Sequence, residues 1–351
     1  MTESDAATIP AGAATGIGSM PGTDPLEAAR LIAGELEELP HLVELPDRGL
    51  GADLIGRTAG MLVDLPVDTS TTGYRLVDRP GPILGRARGH LSHDLDATEE
   101  VWEVTGLRGA GRAFKVQAAG PATLAAHLEL PGGRKVLTDA GALAEVTESL
   151  AEGLAAHIRE VTRRLGAHVV LQLDEPELPA VLAGTVPGLS RFDPVSALPA
   201  PDAAGLIRRI VEAAGVEVLV HCCAADVPLA VLGQTGATGA AIDLAQLTAA
   251  DLDGVGEWLE AGRLLGAGVV QAAPGQADPV TGTDPVGDPR SVADPVVHLI
   301  DRLGFPREKL ATSLVYTPAC GLAGVEPARA RAVLDQVTGL ARAVSAGDFG
   351  R

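Results

Sequence analysis

Short apolar runs of strand type alternate along the chain with longer stretches whose apolar residues recur at helical spacing. The strand-type runs are "TGIGSM" (15–20), "HLVEL" (41–45), "AFKVQAAGP" (113–121), "HVVLQLDEP" (168–176), "VEVLVHCC" (216–223), "TGAAIDL" (238–244), "GAGVVQAAPG" (266–275) and "KLATSLVYTPACG" (309–321). Helical periodicity covers 24–39, 96–107, 122–127, 140–165, 202–214, 249–261, 292–303 and 327–344. Asp24 is placed to cap the first helix, and Pro25 suits its first turn. The stretch from Gly49 to His93 breaks the pattern and predicts an irregular excursion that includes a hairpin. The Pro-, Asp- and Gly-rich stretch from Ala273 to Asp294 predicts a long loop after the seventh strand, on the catalytic face. Eight strands alternating with helices predict an α/β chain folded as a single (β/α)8 TIM barrel over 15–351, after an N-terminal tail at 1–14. A doubly wound open sheet is the competing fold. It is disfavoured because no G-x-G-x-x-G follows the first strand and no phosphate-binding P-loop occurs anywhere.

Composition narrows the functional classes. The net charge is −19, from 27 Lys+Arg against 46 Asp+Glu, so the surface repels nucleic-acid phosphates. Three cysteines are too few for a disulfide framework. The opening "MTESDAATIPAG" lacks the basic and apolar regions of a secretory signal, and no apolar run approaches the ~20 residues of a membrane span. The expectation is a cytoplasmic protein with reduced thiols and neither nucleic-acid nor membrane partners.

Unusual polar residues fall at the ends of apolar strands, which converge on one face of a barrel. His221 and Cys223 form an H-x-C pair. Residues i and i+2 of a strand point the same way, so both can face one ion while Cys222 points into the packing. Cys320 follows the eighth strand and Asp243 closes the sixth. A nitrogen, two sulfurs and a carboxylate suit Zn2+, whereas a core that merely buries His and Cys is the alternative. Asp174 and Glu175 end the fourth strand, where a carboxylate can hold a substrate ammonium group or cap a turn. Gly18 and Ser19 let a ligand approach the backbone, whose N–H groups can receive a carboxylate, or they form an ordinary tight turn. Glu44 is a further carboxylate at a strand end, with a surface position as the alternative.

Taken in order, these motifs resemble the catalytic barrel of the cobalamin-independent methionine synthase family. "TGIGSMPGTDP" is similar to the family's opening segment and "VELPDR" to its glutamate-bearing strand end. "AAGPATL", "LQLDEPELP", "VHCC" and "TPACGL" resemble its GP-x-T turn, its DEP strand end, its H-x-C pair and its zinc cysteine. The resemblance implies a zinc-dependent methyltransferase that converts homocysteine to methionine. It implies zinc ligation by His221, Cys223 and Cys320, with Asp243 in the place of the family's glutamate ligand. It further implies that Gly18 and Ser19 bind the amino acid's carboxylate, and that Glu44 and Asp174 hold its ammonium group. Three departures bear on the methyl donor. The chain opens on the catalytic motif, without the extra N-terminal barrel of longer relatives. Gln271 and alanines stand where the family has a histidine, and the tryptophan after the GP-x-T turn is missing, with His127 nearby. The donor expected is therefore a methylfolate or a methylcorrinoid, the latter carried by a corrinoid protein. Alkyl transfer to another thiol such as coenzyme M, and a non-catalytic zinc- or thiol-binding barrel, are the alternatives.

Overall fold

The computed structural model describes residues 9–190, 194–272 and 289–349. Within them the strands are β1 (Val67–Thr69), β2 (Tyr74–Leu76), β3 (Ala113–Ala119), β4 (Leu128–Glu129), β5 (His168–Asp174), β6 (Val218–Cys222), β7 (Gly239–Asp243), β8 (Leu264–Val270) and β9 (Leu314–Pro318). Six of them form one parallel sheet in the order β3-β5-β6-β7-β8-β9. Nearly every residue of these six strands is buried. Helices cover one face and the interior fills the other, which is why the runs read as continuous rather than alternating. Because all six strands run the same way, their C-terminal ends gather Asp174, Asp243 and the residues after Cys222 and Pro318 on one side.

The first two expected strands do not form ladders. Segments 14–20 and 41–45 bridge the sheet's two edges through single parallel pairs: Ala14 with Tyr316, Ser19 with Glu44, and His41 with Lys115. Leu42 N donates to Lys115 O at 2.8 Å and Met20 N to Glu44 O at 2.8 Å. Local sequence explains the irregularity. Pro40 and Pro46 bracket the second segment and cannot donate. In the first segment Gly18 has φ +156°, a conformation closed to other residues.

The excursion after Gly49 contains the helix Leu54–Ala59 and the expected hairpin, with β1 antiparallel to β2. The helix expected from Asp96 starts at Pro82 and runs to Val104. Its first half holds two glycines, which weaken intrinsic helicity. Burial of Ile83, Leu84 and Ala87 overrides that weakness. In the eighth run, "KLAT" is a helical turn and the strand begins at Leu314. Most of the loop expected over 273–294 lies outside the described residues, and helix Pro289–Arg302 takes up its end. Among the described residues no helix is long and apolar enough to cross a membrane. Ile9 is buried, and its N–H donates to Glu217 at 2.6 Å, so the chain is anchored before the first bridge.

Candidate metal and amino-acid site

His221 lies within β6, and Cys223 follows the strand's last residue. Period-2 geometry holds: Cys222 is fully buried, and that burial pushes its thiol up to about 12, so it is a packed, inert sulfur. Cys320 follows β9 and brings its Sγ to 3.3 Å from Cys223 Sγ. The hydrogen bond between the two sulfurs holds Cys320 down at about 6 against the raising effect of burial, with His221 adding to the lowering. Cys223 is shifted upward by the same hydrogen bond and by burial. The chain after Cys320 is seated on the opening segment. Leu322 N donates to Ser19 O at 2.8 Å, and a side chain at Gly321 would run into Ser19 Oγ.

Asp174 Oδ1 accepts a hydrogen bond from His221 Nδ1 at 2.7 Å. His221 Nε2 is buried with no partner. A carboxylate behind Nδ1 that leaves the other ring nitrogen bare is the arrangement of a metal-binding histidine. With two thiols beside it, the donor set fits zinc. Among the described residues, however, no group of three or more His, Cys, Asp and Glu side chains stands in a metal-holding arrangement. Asp243, expected as the fourth ligand, has partners within the chain. Its Oδ1 accepts from Ala245 N at 3.0 Å and Gln271 Nε2 at 2.9 Å, so it caps the turn after β7. Cys222 pairs with Ile242, which sets Asp243 in the register position beside Cys223. Its carboxylate is nonetheless tied to its own loop.

Glu44 is buried rather than on the surface. Its Oε1 accepts from Arg57 Nη1 at 2.9 Å, and its Oε2 lies 2.6 Å from where a Cβ on Gly18 would sit. Burial raises its pKa to about 7, opposed by Arg57 and reinforced by Asp174. The backbone N–H groups of Gly18 and Ser19 make no hydrogen bond within the described residues. Glu44 thus lies against the Gly18–Ser19 turn, whose two backbone N–H groups are unpaired within the described residues.

Glu175 does the opposite job. It is fully buried and accepts from Ala122 N (2.9 Å), Thr123 N (2.7 Å) and Thr123 Oγ1 (2.7 Å), capping the helix Pro121–His127 from outside. Glu175→Ala is expected to orphan all three donors and cost at least ~3 kcal/mol, read as a lower midpoint in denaturant melts. A midpoint within ~0.5 kcal/mol of the parent would refute that capping role. His127 is exposed, 3.3 Å from Glu177.

Five buried polar residues linked by hydrogen bonds or close contact to the opening segment, Glu44 or Asp174 carried no role in the sequence: His41, Arg57, Lys115, Gln117 and Gln172. Four of them were visible as period-2 polar positions or strand starts. Lys115 and Gln117 share one face of β3, Gln172 shares a face of β5 with Asp174, and His41 opens its segment. Arg57 carries no such signal, since it sits on a helix of the irregular excursion.

A family model described as the catalytic domain of cobalamin-independent synthase matches residues 12–343. No curated protein matches the chain. Among solved structures, a B12-independent methionine synthase from Shewanella sp. W3-18-1, in complex with selenomethionine, superposes with a TM-score of 0.61. The match covers 98% of this chain and 100% of that one, at 11% sequence identity. Likeness at that identity speaks for the fold.

Proposed function

Because this chain belongs to the family of cobalamin-independent synthase catalytic domains, we propose that it makes methionine by methylating homocysteine at a zinc ion held by His221, Cys223 and Cys320. Methyltransferase activity follows from the family; the ion, its ligands and the donor are our reading. The observation that carries it is the bare, buried His221 Nε2 beside two thiols 3.3 Å apart. When bound, zinc supplies one thing: it keeps a ligating thiol deprotonated at neutral pH. The chain's own residues do the remainder. The Gly18 and Ser19 N–H groups receive the amino acid's carboxylate. Asp174 Oδ2, which accepts no hydrogen bond among the described residues, and Glu44 receive its ammonium group. Together they hold the thiol in line with the donor. The scaffold is read as a closed (β/α)8 barrel of one domain, with segments 14–20 and 41–45 as its first two staves, in a cytoplasmic protein. The three bridges across the sheet's open edges support that closure.

The test is bound zinc in the purified protein, followed by homocysteine offered with methylfolate and with methylcobalamin separately. Turnover with one donor names it. A protein that purifies and reconstitutes without zinc sinks the mechanism, and zinc without turnover from either donor favours a non-catalytic zinc barrel.

A pH dependence follows from Glu44. With a pKa of about 7 it takes up a proton below neutrality and ceases to attract an ammonium group. Affinity for methionine, which has no thiol to titrate, is expected to fall as pH drops through 7, approaching about tenfold per unit. Calorimetry between pH 5.5 and 8.5 reads this directly, and in Glu44→Gln the slope should vanish.

A further inference from the structure

Beneath the proposed site lies a chain of buried hydrogen bonds that the chemistry above does not use. Lys115 is fully buried on β3. Its Nζ donates to Gln172 Oε1 at 2.7 Å and to Ile17 O at 3.0 Å. Gln172 Nε2 donates in turn to Asp174 Oδ1 at 2.7 Å and to Ile17 O at 2.7 Å. Asp174 Oδ1 also accepts from His221 Nδ1. Each member's direction is forced by the one before it. A lysine ammonium has no lone pair and can only donate. The Gln172 oxygen must therefore face Lys115, and its NH2 must face Asp174 and the Ile17 carbonyl. Asp174 then has one oxygen committed and one open. His221 must carry its proton on Nδ1, leaving Nε2 as a lone pair.

We propose that Lys115 and Gln172 are positioning residues that set the polarity of this relay. The relay fixes the His221 tautomer and, through the shared Ile17 carbonyl, the height of the Gly18–Ser19 turn. Two parts of the site are thus locked by one amide: the metal-facing nitrogen and the amino-acid cradle. Burial brings Lys115 down to about 7, yet the relay does not depend on its charge. A neutral amine gains a lone pair, but the Ile17 carbonyl and the Asp174 carboxylate, which only accept, still require the Gln172 NH2 on their side.

This inference rests on the zinc and homocysteine reading, and its test separates the two. Gln172→Met and Lys115→Met keep volume and remove the donors. Zinc affinity is measured by competition with a chromogenic chelator, amino-acid affinity by calorimetry with methionine, and KM for each substrate by steady-state assay. Gln172→Met is expected to weaken zinc binding by about 10–100-fold, as loss of a ligand's supporting hydrogen bonds does. It should also raise the KM for homocysteine about tenfold or more while leaving the KM for the methyl donor unchanged. Lys115→Met should move the same quantities less, and the double variant should lose less than the sum of both, because the two residues act in series. Zinc and methionine affinities equal to the parent in a folded Gln172→Met overturn the proposal. An equal rise in both KM values, or failure of both variants to fold, also overturns it by making these residues purely structural. If the unsubstituted protein binds neither zinc nor methionine, the functional reading itself has failed, and that is seen before any variant is made.

Discussion

Cys223→Ala and Cys320→Ala are expected to fold, to purify without stoichiometric zinc and to lose about 10³-fold or more in methyl transfer. The magnitude has two sources. A free thiol with a pKa near ~8.5 is only a few per cent thiolate at pH 7, so losing the metal removes about 30-fold. The thiol is also no longer held in line with its donor, and misplacement of a reacting atom costs on the order of 10² more. The fold should tolerate either change. Cys320 is exposed and Cys223 half-buried, so neither truncation opens a sealed cavity. Cys222→Ala supplies the contrast one residue away. Its thiol is wholly buried, so the substitution is expected to cost about 1–2 kcal/mol of stability while leaving zinc content and turnover intact. Elemental analysis and steady-state assays of the three variants read out the outcome. Zinc loss in Cys222→Ala with retention in Cys223→Ala would reverse the assignment of which sulfur faces the ion.

That pair of cysteines also shows how much of the site the sequence carried. Strand periodicity alone separates Cys222 from its neighbours, because side-chain direction in a strand is set by the backbone. The parallel sheet was readable for the same reason: apolar runs buried on both faces have no polar interruptions to blur them. Residues at strand ends could be gathered on one face without knowing any contact, since parallel strands end together. Other features were hidden because they depend on packing partners remote in sequence. Asp243 reads as a ligand by its position, yet its carboxylate is engaged by Ala245 and Gln271, 28 residues away in the second case. Asp174 and Glu175 are adjacent and chemically alike. Alternation sends one toward His221 and the other toward the N-terminus of helix Pro121–His127. The segments 14–20 and 41–45 look like strands because their apolar content is right. Their prolines and glycines then limit them to single bridges. Arg57, which pairs with Glu44, lies in a stretch whose pattern pointed nowhere.

Asp174→Asn is expected to lower kcat/KM for homocysteine by about 10²–10³, and the way it fails distinguishes two roles of one carboxylate. In the parent protein Asp174 Oδ1 serves Gln172 and His221, and the other oxygen accepts no hydrogen bond among the described residues. An asparagine has only one oxygen to offer. If that oxygen takes the inner place, His221 keeps its proton on Nδ1, and the amide NH2 faces the incoming ammonium, donor against donor. A charge-assisted hydrogen bond worth about 1.5–3 kcal/mol is then lost. Methionine affinity should fall roughly 10–100-fold with zinc affinity unchanged. If instead the NH2 takes the inner place, it confronts both Gln172 Nε2 and His221 Nδ1–H. The imidazole must move its proton to Nε2, the nitrogen offered to the metal, and zinc affinity falls with the amino-acid effect secondary. The Gln172 amide is itself oriented by the Lys115 ammonium, which donates to its oxygen, and by the Ile17 carbonyl, which can only accept from its NH2. It therefore cannot flip to accept from the asparagine, and the inner NH2 has no partner there. The first outcome is thus expected: a large loss of methionine affinity beside nearly normal zinc binding. Chelator competition and calorimetry on the same preparation decide between the two. Parent-like values in both would remove Asp174 from the ammonium site and from the orientation of His221 together.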